Sequence, residues 1–157
     1  MSTEDHANAP VLPPVLFGAC LGAGFLLKWL APVRLVPQSL EGPVRFAGAG
    51  LAFLGFAFGG WALATFVRAR TTPHPNRPVS ALVTRGPYRV SRNPMYLGLS
   101  AATAGIALVA NTPWLLAALP LLWLALGRLV IDREEAYLER KFGEEYRLFL
   151  ARTRRWI

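Results

Sequence analysis

Cysteine is nearly absent. Cys20 stands alone, so the chain can form neither an internal disulfide nor a cysteine-based metal site. Histidine is equally scarce: His6 and His74 are far apart and lack metal-ligand spacing. His74 sits between Pro73 and Pro75, an extended context that predicts a solvated loop side chain. Charge is sparse as well. Asp, Glu, Lys and Arg make up 17% of the residues, against roughly 25% in soluble domains. There is no internal repeat and no low-complexity tract. Gly48-Ala49-Gly50 has the look of a nucleotide-binding fingerprint, but no strand precedes it, which removes that reading.

What the chain does have is apolar sequence in long blocks. Hydrophobic residues reach 54% of 157. Val11 to Ala31 is apolar apart from Lys28, Phe46 to Val67 and Met95 to Ala110 carry no charge, and Trp114 to Ile131 carries only Arg128. A helix needs about 20 residues to cross the hydrocarbon core. The expectation is therefore an all-α polytopic membrane protein with about four transmembrane helices. The last two blocks, joined by Asn111-Thr112-Pro113, form a helical hairpin; a re-entrant hairpin that dips in without crossing is the alternative for these shorter blocks. The first block is read as a span and not a cleaved signal peptide, because Met1 to Pro10 holds Glu4 and Asp5 and no basic residue. Lys28-Trp29 at its end is an interfacial anchor. Gly18 with Gly22, and Gly55 with Gly59, are small-xxx-small pairs that predict close helix packing.

Basic residues set the orientation. Six arginines lie between Arg68 and Arg92 and eight basic residues from Arg128 onward, fourteen of the seventeen in the chain. Positive loops stay on the cytoplasmic side, so the central loop and both termini are expected there. The net charge of +8 then follows from orientation and attraction to anionic lipid, not from nucleic-acid binding. Residues 1–70 supply two generic spans. Residues 71–157 supply the loop, the hairpin and the C-terminal helix, and it is there that chemistry is expected.

The loop Thr71 to Ser80 is proline-rich and extended. Gly86-Pro87 marks a turn. Asn93-Pro94 reads as an N-cap followed by a first-turn proline, so the third helix begins there. Arg89 and Arg92 lie just before that helix's positive end, where an anionic group is welcome. Beyond the fourth block, Leu138, Phe142, Tyr146 and Phe149 recur at steps of four, four and three, which predicts an amphipathic helix lying in the interface. Arg128, Asp132, Glu135 and Glu139 form a second stripe. Arg128, still inside an apolar block, is read in two ways: a functional group facing a wet cavity, or a snorkelling side chain paired with Asp132.

The run Gly86-Pro87-Tyr88-Arg89, then Arg92-Asn93-Pro94-Met95-Tyr96-Leu97-Gly98, then Glu134-Glu135, then Phe142-Gly143-Glu144-Glu145-Tyr146 resembles the isoprenylcysteine carboxyl methyltransferase family, which belongs with the membrane phospholipid methyltransferases. The resemblance covers about Pro78 to the C-terminus. It implies methyl transfer from S-adenosylmethionine at the membrane interface, with the cofactor held between the last two spans and the C-terminal helix. The acceptor would be a lipophilic or small carboxylate, thiol, amine or phenol. The cofactor-binding set it suggests is Tyr88, Arg89, Arg92, Asn93, Pro94, Tyr96, Gly98, Arg128, Glu134 and Glu135, with no metal and no catalytic residue singled out. Arg89 or Arg92 would take the cofactor's carboxylate and Glu134 or Glu135 its ribose hydroxyls, and Tyr88 or Tyr96 would face the sulfonium. Many family members have Arg-His-Pro where this chain has Arg92-Asn93-Pro94, and asparagine is no general base near neutral pH. Two other readings stand beside this one: an NADPH-dependent reductase of sterol-reductase-like architecture, and a non-enzymatic membrane scaffold. High Ala, Arg, Gly, Pro and Leu usage suggests a prokaryotic plasma membrane.

Overall fold

A computed structural model of the chain describes residues 6–74 and 76–157. Glu4, Asp5 and Pro75, used above in reading the N-terminal flank and the proline loop, lie outside the described residues. Among the described residues all regular structure is helical. Helix α1 spans Pro13–Leu30, α2 Gln38–Arg68, α3 Pro94–Val109, α4 Trp114–Leu126, α5 Asp132–Phe142 and α6 Glu144–Arg152. A 3-10 turn, Gly86–Arg89, precedes α3, and a π turn, Gly127–Ile131, joins α4 to α5.

Three helical stretches are long and apolar enough to cross a membrane: α1, α2 and the continuous run Trp114–Phe142. Their outward faces carry Trp29, Phe46 and Phe53 at 78%, 83% and 72% exposure, which only lipid makes tolerable over so wide a surface. The third block is shorter than a standard span. At 16 residues α3 rises about 24 Å against a hydrocarbon core of about 30 Å. Its far end nevertheless lies level with the α1–α2 connection. Lys28 Nζ donates to the Ala110 carbonyl at 2.7 Å, and Trp114 Nε1 to the Ala31 carbonyl at 2.8 Å. Asn111 holds the Val36 backbone through both atoms of its amide, at 2.9 and 3.1 Å.

Helices α2 and α3 run antiparallel at close range. A Cβ added to Gly55 would lie 2.6 Å from the Gly98 carbonyl oxygen, and one on Gly98 equally close to that of Gly55. Gly48 and Gly105 face each other in the same manner. The seam thus uses Gly48 and Gly55, one heptad apart, against Gly98 and Gly105. The sequence expectation for Gly55 and Gly59 places one side of it. The expectation for Gly18 and Gly22 is corrected: nothing lies within 4 Å of either position. The glycine of α1 that meets a neighbour is Gly24, against Leu115.

The C-terminal amphipathic segment is also corrected. It is two helices, not one, divided at Gly143, whose φ of +51° and ψ of −120° suit only glycine. Its apolar stripe survives the break. Tyr146 and Phe149 are buried with Ala62, Val83 and Tyr88, and Leu138 and Phe142 pack against them. That stripe therefore faces protein and not the bilayer. A second core joins Phe17 and Cys20 of α1 to Tyr96, Leu122, Leu126, Val130 and Ile131. All the loops and helices with chemistry-bearing side chains gather at the end of the bundle opposite the α3–α4 turn.

Candidate functional site

Between these two cores lies a cavity of about 820 Å³, counting space open to solvent. The turn before α3, the start of α3, the start of α5 and α6 enclose it, and the loop at Thr72–His74 and Val79–Val83 covers it. Gly86, at φ +60°, opens that turn. A Cβ there would lie 3.3 Å from Thr65 Oγ1 and 3.5 Å from Trp61 Nε1, so glycine also lets the turn sit down on α2. Tyr88 then packs edge-on to Phe66, with ring centroids 5.3 Å apart.

Of the ten residues suggested by sequence, seven line the cavity: Tyr88, Arg92, Asn93, Pro94, Tyr96, Glu134 and Glu135. The other three do not. Gly98 is spent in the α2 seam. Arg128 is exposed on the π turn, and Asp132, the partner suggested for it, pairs with Arg155 instead. Arg89 faces a separate groove with Glu145 and Arg152.

The two glutamates differ in their surroundings although both reach the cavity. Arg92 Nη1 lies 3.1 Å from Glu135 Oε1. Arg155 clamps the same carboxylate and reaches Asp132 at 3.0 Å. Glu134 accepts a hydrogen bond from the Tyr96 hydroxyl, 3.1 and 3.3 Å from its two oxygens. Among the described residues no basic side chain forms an ion pair with Glu134. Arg92 has a complementary deficit: its Nε is buried and without a hydrogen-bond partner. A buried donor left unsatisfied costs about 1–3 kcal/mol. The cavity is thus lined by an arginine with one unmatched guanidinium N–H and by a carboxylate that has a phenol but no cation as partner among the described residues.

Burial pushes both cavity phenols outside the helical spans upward. For Tyr88 the Glu134 charge adds to the effect. For Tyr146 the Glu135 charge adds to it and Arg92 opposes it. Both stay neutral near pH 7 and present aromatic faces and O–H donors.

Asn93 occupies the N-cap position of α3 with Pro94 first in the helix, as the sequence indicates, but its side chain does not cap. Its amide donates to the Arg155 carbonyl at 3.0 Å, joined by the Ser91 hydroxyl at 3.1 Å, while the Arg92 amide donates to the Arg154 carbonyl at 2.9 Å. Trp156 stacks on Trp123 at 5.2 Å. The last residues of the chain therefore hold Arg92, Asn93 and Glu135 in place.

A family model for phospholipid methyltransferase matches residues 44–145, more than half of the chain, including the turn at Tyr88 and the starts of α3 and α5 but only the first two residues of α6. The chain belongs to the phospholipid methyltransferase family. It is a membrane methyltransferase by that membership, and the match does not favour the reductase reading. A protein of Haemophilus influenzae strain Rd, described only as uncharacterized, is 43% identical over 68 residues, 40% of this chain and all of that protein. No solved structure matches.

Sequence reading missed several residues at or beside this cavity. Arg155 entered the sequence reading only in the count of basic residues that set orientation, and Trp156 not at all; the one signal was an aromatic beside two arginines in Arg154-Arg155-Trp156. Tyr146 and Phe149 carried a clear apolar signal but were assigned to the interface. His74, expected as a solvated loop side chain, is in a loop but half-buried and lines the cavity, with Nδ1 accepting from the Asn76 amide at 3.2 Å.

Proposed function

We propose that this membrane methyltransferase uses S-adenosylmethionine, bound in the cavity between the turn at Tyr88, the start of α3 and the start of α5. The observation that carries this is the pairing, on one partly apolar cavity, of Arg92 with an unmatched Nε–H and the Glu134 carboxylate with a phenol but no cation as partner. Bound there, the cofactor supplies an activated methyl group on a sulfonium. Arg92 would hold its carboxylate by charge-assisted hydrogen bonds. Glu134 would accept from ribose hydroxyls, with Tyr96 fixing the carboxylate's orientation. Tyr88 and Tyr96 offer aromatic faces to a cation. Met95, Leu138 and Phe149 line the same cavity and would exclude water from the bound cofactor's methyl group. Glu135, already held by Arg92 and Arg155, acts as the strut of the site.

The acceptor is read as a lipophilic or small carboxylate, thiol, amine or phenol delivered from the bilayer, with no nucleic-acid partner. Four spans, with the basic end and both termini in the cytoplasm, are the topology that the charge distribution supports.

Calorimetric titration of the detergent-purified protein with S-adenosylmethionine, and separately with NADPH, tests the reading. Micromolar binding of the first alone is expected, weakened at least about tenfold by Arg92→Ala, the loss of a charge-assisted hydrogen bond. Glu134→Gln should weaken it by a similar factor. Binding of NADPH instead, or of neither by folded protein, overturns the proposal.

A further inference from the structure

Arg89 has a setting of its own. It lines a groove of about 950 Å³, open to solvent, between the loop at Thr84 and the end of α6, shared with Glu145, Leu148, Arg152 and Thr153. Arg89 and Arg152 are exposed, and neither forms an ion pair or side-chain hydrogen bond among the described residues. Leu148, 51% exposed, forms an apolar wall beside them. Two arginines against one glutamate leave the groove one positive charge in excess, with two threonine hydroxyls beside them.

We propose that this groove seats the headgroup of an anionic glycerophospholipid, separately from the methyl-transfer cavity. One excess positive charge matches the single negative charge of a phosphodiester. A guanidinium pair takes its two free oxygens in the geometry that arginine favours. Glu145 selects against phosphomonoesters and polyanions, whose extra charge it repels, and can accept from a headgroup hydroxyl. The source is the bilayer and not a soluble phosphodiester. Leu148 extends the groove's surface as apolar contact for the glycerol and first acyl carbons, and the groove lies at the basic end of a membrane protein, where anionic lipid concentrates. Arg89 and Arg152 also stand at the C-terminal ends of the 3-10 turn and α6, where a cation is favourable in any case. What that does not account for is their convergence, from segments more than sixty residues apart, on one groove with no carboxylate paired to either.

Native mass spectrometry of the full chain, released from detergent containing phosphatidylglycerol or phosphatidylcholine, counts retained lipid. One phosphatidylglycerol per chain is expected, in preference to phosphatidylcholine. Arg89→Gln and Arg152→Gln should each lower retention about fivefold, the effect of about 1 kcal/mol per basic residue near an anionic surface. The pair Arg77→Gln/Arg140→Gln, exposed and outside the groove, should lower it less than about twofold. Equal loss in that control would mean diffuse surface charge and overturn the groove. So would equal retention of the two lipids, or displacement by water-soluble glycerophosphoglycerol at the concentration of the lipid. Thermal unfolding of each variant confirms that it is folded before lipids are counted.

Discussion

Substituting Gly105 by alanine should separate α2 from α3. The new Cβ would stand 2.5 Å from the Gly48 carbonyl oxygen and 2.8 Å from Ala52 Cα. Both neighbours are backbone, so no rotamer change relieves the contact. Restoring a carbon–oxygen distance of about 3.3–3.6 Å requires the helices to part by about 1 Å. That shift loosens every contact along the seam, including the mutual approach of Gly55 and Gly98. Overpacking of this sort costs about 1–3 kcal/mol. The better helix propensity of alanine returns up to about 1 kcal/mol. The net loss, about 1–2 kcal/mol, corresponds to a Tm lowered by about 2–8 °C for a chain of this size. Gly22→Ala, with nothing within 4 Å, keeps only the propensity gain and should leave Tm unchanged or slightly raised. Thermal unfolding in detergent, followed by tryptophan fluorescence, measures both. The double variant Gly48→Ala/Gly105→Ala should cost less than the sum of its parts, because the first substitution has already opened the seam. If Gly105→Ala is as stable as Gly22→Ala, the close approach does not hold the two helices and the reasoning fails.

Arg70 and Asn111 both end a helix in the left-handed region, at φ +52° and +48°, yet glycine should act oppositely at the two sites. Arg70→Gly relieves backbone strain of about 1 kcal/mol and should raise Tm by about 2–4 °C, whereas Asn111→Gly gives up two hydrogen bonds to Val36 and should lower it; the same sign at both would refute the account. Arg155→Ala breaks ion pairs to Glu135 and Asp132 that are partly solvent-screened, so Tm should fall by only about 1–4 °C, the loss of about 1 kcal/mol or less. Cofactor affinity, measured by titration, should fall by more than Tm suggests if Arg155 positions Glu135, and Arg155→Lys should restore part of it.

Hydrophobicity is a local property, so the apolar blocks placed α1 at both ends, the end of α2 and the start of α4 to within two residues, and Asn93-Pro94 placed the start of α3; α2 begins at Gln38, eight residues before its apolar block, in a more polar first two turns. The pairing of elements is not local. Gly18 and Gly22 have the same spacing as Gly55 and Gly59, but small residues only permit an approach; a facing surface must exist, and α1 lacks one there. Arg89 and Arg92 are three residues apart and looked equivalent. The 3-10 turn and the bend after it send them to opposite sides of the loop. The partner of Glu135 lies twenty residues further along the chain, in a tail whose role depends on where it folds back.

The two glutamates at the start of α5 show why the family string reads as one motif and yet contains two roles. Adjacent helical residues point about 100° apart, which suggested that one of them would face away. Both nevertheless line the cavity, Glu134 turned to Tyr96 and Glu135 to Arg92 and Arg155. What separates them is compensation. Glu135 is flanked by Arg92 and Arg155, so its charge is stable where it is and it can fix the position of the Arg92 guanidinium. Glu134 has a phenol for company and no ion pair among the described residues, which makes its half-buried charge unfavourable. Arg92 is in turn left with one buried N–H unmatched. Each deficit could be removed by an inward ion pair between the two, but the pairing of Arg92 with Glu135 holds the guanidinium on the other carboxylate. The tail that anchors Arg155 therefore leaves on one cavity an arginine with an unmatched N–H and a carboxylate with no cation beside it, a state that an apolar core would eliminate and that a polar, charged ligand would complete.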